Sequence, residues 1–272
     1  MTDTRIQATM FLLAVLFIFS PLAEAFIMGG SLTRPNQFPF LAFIETLFND
    51  GQCSGTLLNE RFVLTAAHCL RGYVTGNRIK VHLGLTKKSA IATDDNVQTR
   101  MVKNVYLPSD NLDAKDFAPA DIAVLELESP VRYTEAVLPI YLLANDEPLI
   151  NGTAPPMISG FGRTNQDKNG LNGKLTDYLH HAKVKFATPE KCRKEYPHSD
   201  KRLCAGTWGY GADTGDSGGH LFVEYKNRFY QVGVASIGAS GIDRDDEPDA
   251  FTRVSKYCDF IKTATKGDVK CG

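Results

Sequence analysis

The sequence predicts an all-β fold, in barrels or a sandwich, with a single helix near the C-terminus. Three observations predict it. Apolar or alternating runs of strand length recur along the chain, turn-forming residues punctuate them, and one stretch alone carries a helical period. The runs, in order, are Phe38–Glu45, Arg61–Ala66, Ile79–Leu83, Ile122–Leu127, Met157–Phe161, Leu221–Tyr225 and Tyr230–Ile237. Between them lie Asn49-Asp50-Gly51, Gly76-Asn77, Asn151-Gly152 and Lys168-Asn169-Gly170, the punctuation of tight turns. From Val254 to Lys266 the pattern changes. Val254, Tyr257, Phe260 and Ile261 recur at three- and four-residue spacings, which predicts a helix with one apolar face packed on the outside of a barrel.

Ahead of the first run, Arg5 precedes an apolar segment from Met10 to Phe19, followed by Pro21 and the small-residue triplet Ala23-Glu24-Ala25. That order predicts a secretory signal peptide over residues 1–25, leaving 26–272 as one enzyme-sized domain. The segment falls well short of the ~20 apolar residues that a spanning helix needs, which argues against a membrane anchor. A net charge of -1, with 22% charged and 43% hydrophobic residues, places the chain among ordinary soluble proteins. The absence of a basic excess argues against nucleic acid or an anionic membrane as partner. Export implies an oxidising compartment, and six cysteines are the even number a disulfide framework requires. Pairing Cys53 with Cys69, Cys192 with Cys204 and Cys258 with Cys271 would close three short loops, but spacing leaves the connectivity open. No Cys-x-x-Cys or Cys-x-x-His pair suggests a metal site. Asn151-Gly152-Thr153 is an N-glycosylation sequon in a turn-like context.

Three fragments carry chemistry: Leu64-Thr65-Ala66-Ala67-His68-Cys69, Asp121-Ile122-Ala123-Val124-Leu125 and Gly215-Asp216-Ser217-Gly218-Gly219. Amide hydrolysis at neutral pH needs a nucleophile stronger than a free serine hydroxyl, so an imidazole must take its proton. A carboxylate then holds the imidazole in the right tautomer and stabilises its cation. Glycines around a serine permit a tight turn whose amides point at a developing oxyanion, and Gly215 and Ser217 would supply those donors.

With these fragments, the chain resembles the chymotrypsin/trypsin family of serine proteases. The likeness runs from Ile27 to about Ile261, through Ile27-Met28-Gly29-Gly30, Phe38-Pro39-Phe40, Cys53-Ser54-Gly55-Thr56-Leu57, Cys204-Ala205-Gly206 and Phe251-Thr252-Arg253-Val254. It implies two six-stranded antiparallel barrels flanking a cleft, a C-terminal α-helix, and a secreted endopeptidase acting through His68, Asp121 and Ser217. It also implies the bridges Cys53–Cys69 and Cys192–Cys204, and makes Ser236-Ile237-Gly238 the strand that pairs with substrate backbone. Protein or peptide substrates and protein protease inhibitors are the expected partners of a monomer that needs no cofactor. A protease-like binding protein without catalysis is the alternative, but such proteins usually lack a triad residue, and all three stand here.

The sequence departs from the family at several points. Asp213 replaces the cysteine commonly found four residues before the nucleophile, and Cys258–Cys271 is a less common bridge. Trypsin-like relatives place an aspartate six residues before the serine, where this chain has Gly211; Asp249 instead occupies the opposite wall, where glycine is usual. A buried acid there would favour a substrate lysine or arginine, alone or in a specificity broadened to large apolar residues; the competing reading is a solvated acid in the charged run from Asp243 to Asp249. The family's activation ion pair would join the ammonium of Ile27 to Asp216, yet no basic residue immediately precedes Ile27. His180, His181 and His198 are read as surface histidines, Trp208 as packing beside the pocket, and Leu85-Thr86-Lys87-Lys88 as lacking the carboxylates of a calcium loop.

Overall fold

The computed structural model describes residues 30–46, 51–70, 78–109, 120–164, 174–196, 199–239 and 246–272. A short strand, β1 (Ser31–Leu32), precedes β2 (Leu41–Thr46), β3 (Gly51–Leu57), β4 (Phe62–Thr65), β5 (Ile79–Leu83), β6 (Gln98–Tyr106) and β7 (Ala123–Leu127). Strands β2 to β7 form a closed antiparallel barrel in the order β2-β3-β4-β7-β6-β5. Closure removes the exposed edges that an open sheet would leave. On β2, Ala42 and Ile44 enter the barrel core, while Leu41 and Phe43 pack outside it against Phe161 and Leu179. Both faces of β2 are therefore buried, which explains its nearly unbroken apolar sequence.

The second unit comprises β8 (Tyr141–Leu142), β9 (Pro156–Gly160), β12 (His180–Lys183), β13 (Lys185–Phe186), β14 (Arg202–Gly206), β15 (His220–Tyr225), β16 (Arg228–Ile237) and β17 (Asp249–Arg253); β10 (Arg163–Thr164) and β11 (Lys174–Leu175) form a separate ribbon. With β1 it makes a nine-stranded sheet along the path β1-β12-β9-β15-β16-β17-β14-β13, to which β8 adds by pairing with β16. The expected second six-stranded barrel is thus a half-barrel: among the described residues no ladder joins β1 to β13. Its core gathers Ile158, Leu221, Val232 and Phe251. Phe38 and Phe40, ahead of the first barrel, meet Phe222 and Phe229 of the second unit edge to face at 5.1 to 5.8 Å. Aromatic packing of this kind contributes about 0.5–1.5 kcal/mol per pair beyond area burial, and here it joins the two units.

Several expectations change. The C-terminal helical stretch is a 3₁₀ turn, Val254–Tyr257, leading into α3 (Cys258–Ala264), which ends before Lys266; α1 (Glu147–Ile150) and α2 (Pro189–Glu195) lie in the second unit. Thr188 caps α2 through its hydroxyl, which accepts from Lys191 N at 3.3 Å, with Pro189 at the first helical position. Gly51, read as part of a turn, begins β3. His180 and His181 are not surface residues. His180 is 1% exposed, and burial drives its pKa down to about 4 against a raising hydrogen bond to Tyr178 O; His181 is half-buried beside Phe38. The two rings leave β12 on opposite faces, and both faces are covered there, His180 being buried and His181 packing on Phe38. His198 lies outside the described residues. Trp208 is 60% exposed rather than packed beside the pocket. Among the described residues no helix is long and apolar enough to cross a membrane.

Candidate active site

His68 sits in the 3₁₀ turn Ala67–Leu70 that follows β4, and Asp121 immediately precedes β7, the strand paired with β4. Sheet pairing therefore brings together two residues that are far apart in sequence. The Asp121 carboxylate accepts the His68 backbone N–H at 2.9 Å on one oxygen and bonds the ring Nδ1 at 2.7 Å on the other. Ser236 Oγ donates to that second oxygen at 2.6 Å. Burial, the largest single influence on Asp121, would raise its pKa. The hydrogen bond and charge of His68, with the Ser236 hydroxyl, outweigh it and leave the carboxyl below its ordinary value.

Ser217 comes from the turn between β14 and β15. Gly215 (φ 101°) and Gly218 (φ 78°) flank it in left-handed conformations that a residue with a Cβ rarely adopts. At Gly218 a side chain would also collide with Thr65 and the Ser54 carbonyl, so glycine lets this turn press against the strand end that carries His68. Ser54 N donates to Ser217 O at 2.8 Å and Gly218 N to Ala235 O at 2.9 Å, fixing the turn to both units. His68 and Ser217 line one cleft of about 380 Å³. Among the described residues, neither Gly215 N–H nor Ser217 N–H donates to a protein acceptor.

Asp213, Ala212, Ser236, Ile237, Gly238 and Asp249 share that cleft. Asp249 is 1% exposed; its oxygens accept Ala212 N at 2.7 Å and Ala239 N at 2.9 Å. It is therefore an anchored wall group rather than part of a solvated charge run. Gly211 is buried just before Ala212 and does not line the cleft. Ser236-Ile237-Gly238 forms its rim where β16 runs out, and Ser236 adds a contact to Asp121 that sequence reading did not foresee.

Asp216 lies behind the turn, buried, accepting Gly162 N at 2.8 Å and Asp213 N at 3.1 Å. Burial is the main cause that pushes its pKa up to about 7; the two backbone hydrogen bonds oppose this, and the charges of Asp213 and Asp249 add to it. A Cβ at Gly160 or Gly162 would occupy the space of this carboxylate. The Gly-Phe-Gly spelling of residues 160–162 was the available signal for that socket. Ile27 lies outside the described residues. Asn151 is exposed at the end of α1, with Nδ2 donating to Glu147 Oε2 at 2.9 Å. Disulfides join Cys53 to Cys69, Cys192 to Cys204 and Cys258 to Cys271. Donor atoms of Cys53, Cys69 and His68 cluster within 4.8 Å, but with both sulfurs in a disulfide the group lacks the thiolates a metal would need.

Two β units facing each other across a cleft that gathers these groups is the architecture of a trypsin-like serine protease. A family model described as Trypsin matches residues 27–261. Snake venom serine protease catroxase-1 of Crotalus atrox is 33% identical over 251 residues, covering 89% of this chain and 87% of that protein. Thrombin-like enzyme elegaxobin-1 of Protobothrops elegans is 31% identical over 247 residues, 89% and 97% respectively. Phenoloxidase-activating enzyme 1 of Spodoptera litura is 30% identical over 254 residues, 87% and 66%. The chain belongs to the trypsin family and is a serine-type endopeptidase acting on protein or peptide substrates.

Proposed function

We propose that the chain cleaves peptide bonds through an acyl-enzyme on Ser217. The observation that carries this reading is the buried Asp121 gripping His68 on the wall that also holds Ser217. Ser217 Oγ bonds to the scissile carbonyl carbon while its proton passes to His68 Nε2. The tetrahedral oxyanion draws on the N–H groups of Gly215 and Ser217, donors worth about 3–4 kcal/mol each in comparable enzymes. The C–N bond then breaks, His68 returns the proton to the leaving amine, and a water activated by the same imidazole releases the acid.

The side chain preceding the scissile bond enters the cleft toward Asp249, giving a preference for lysine or arginine. Each Asp249 oxygen accepts one of the two backbone N–H groups, which fixes the carboxylate on the cleft wall. Substrate backbone adds alongside Ser236-Ile237-Gly238. The enzyme acts outside the cell after loss of residues 1–25, and an Ile27 ammonium facing Asp216 completes the oxyanion turn. A covalent serine-hydrolase probe tests the core of this reading. Labelling of Ile27-initiated protein, abolished by Ser217→Ala, is expected; labelling that survives the substitution would refute it.

A further inference from the structure

Gly215 has neighbours outside the lining of the Asp249 cleft. A Cβ on it would lie 2.5 Å from Gln52 Nε2 and 2.9 Å from Leu175 Cδ2, so these side chains lie directly over the Gly215 backbone. Neither lines the cleft that holds Asp249. Gln52 precedes Cys53, whose sulfur is bonded to Cys69 next to His68. A substrate with its carbonyl oxygen at Gly215 N–H and its preceding side chain toward Asp249 therefore leads its following residues past Gln52, beside the imidazole that protonates the leaving nitrogen.

Gln52 does not stand there alone. Its Nε2 donates to Phe161 O at 3.3 Å, and its Oε1 accepts Lys88 Nζ at 2.9 Å. Lys88 is held in place from the backbone. Its N–H donates to Asp177 O at 2.8 Å, and Ser89 bonds the Asp177 carboxylate through both N–H and hydroxyl. The ammonium lies 5.7 Å from the Phe43 ring centre and 5.8 Å from that of Phe161. Burial is the main influence on it and lowers its pKa, against the opposing fields of Asp177, Asp216 and Glu45. Among the described residues no carboxylate is within ion-pair distance of it, and only one of its three protons has an acceptor. A half-buried cation with donors to spare is the complement of an anion.

We infer that Lys88, presented beside Gly215 by Gln52, is a specificity-determining residue that selects substrates with an aspartate or glutamate shortly after the scissile bond. The inference rests on the catalytic reading above and deepens it. Acid selectivity on the leaving-group side, paired with a basic side chain before the bond, marks the substrate class as segments in which a lysine or arginine is closely followed by an acid.

Internally quenched peptides sharing one sequence up to the scissile bond, with glutamate, alanine or lysine scanned through the first three positions after it, provide the test. Expected is a kcat/KM about fivefold higher for glutamate than lysine at one of those positions, the size of a partly exposed ion pair. The ratio should shrink at high salt, vanish in Lys88→Gln and invert in Lys88→Glu, each ratio being taken within one protein so that a general change in turnover through the Asp216 field cancels. An absent preference in the wild type, or a loss in Lys88→Gln that is the same for every peptide, would overturn the inference. Cleavage of no peptide, with no Ser217 labelling, would instead overturn the catalytic reading, and this inference with it.

Discussion

Asp216 offers the sharpest quantitative test, because its burial makes the maturation of the N-terminus visible in stability. The perturbation is one residue: protein beginning at Ile27 is compared with protein that keeps Phe26 in front of it. Without a cation, the Asp216 carboxyl titrates at about 7 instead of its ordinary 3.8. A raised folded-state pKa means that the folded chain binds more protons than the unfolded one between those values, so stability falls as pH rises through the window. At about 1.36 kcal/mol per unit, the cost of the ionised form above pH 7 is about 4 kcal/mol. Charged groups whose fields couple to Asp216 are Asp213, Asp249 and Lys88, and all are common to both proteins. An Ile27 ammonium would return the Asp216 titration toward the acid range and remove the loss. Melting curves from pH 5 to 8 should therefore diverge, reaching a difference on the order of 10 °C at pH 8 for a domain of this size. Asp216→Asn should abolish the divergence, and turnover should be far higher for the Ile27 form. Parallel curves, or a divergence that persists in Asp216→Asn, would refute the ion-pair account.

Two further predictions concern buried groups. Replacing Asp249 by Asn removes the charge and leaves one oxygen to accept from Ala212 N–H or Ala239 N–H, so kcat/KM for peptides cleaved after arginine or lysine should fall by at least tenfold relative to that for peptides cleaved after leucine or phenylalanine; a fluorogenic panel showing an unchanged basic preference would exclude Asp249 as the determinant. His220, between Thr56 Oγ1 at 3.1 Å and Ser159 Oγ at 2.5 Å and packed on Phe40 and Phe222, links the two β units close behind Ser217. Burial lowers its pKa to about 3 against the opposing Gly55 carbonyl, so the unfolded chain binds more protons between about 3 and 6.5, and stability falls as pH drops through that window. Relative to the wild type, His220→Gln should lose less stability from pH 7 to 4 by guanidinium unfolding; the lowered pKa values of His180, His181, His82, Asp121 and Glu126 and the raised one of Asp216 act in both proteins, and an identical slope in the two would remove His220 from the account.

By itself the sequence determined what is written locally. Strand runs such as Ile79–Leu83 carry their own period, and the fragments around His68, Asp121 and Ser217 each hold the residue type that the chemistry needs, with the glycines that its turn demands. Of the strands in the first barrel, β3 and β6 escaped that reading. Gly51–Leu57 is rich in small and polar residues because Gly55 packs against Ile44, Val63 and the Leu64 carbonyl, while Gln98–Tyr106 keeps much of its surface partly or fully exposed and spells no apolar run. The tertiary structure alone decided how far the second sheet closes, that His180 turns inward, and that Asp249 is a buried wall group. It alone also decided that Ser236 completes the Asp121 cradle and that Lys88 bonds the Gln52 side chain lying over Gly215. The physical reason is the same throughout: burial and partnership belong to pairs of residues that strand pairing and barrel packing bring together from distant parts of the chain, and no local pattern encodes which pair will meet.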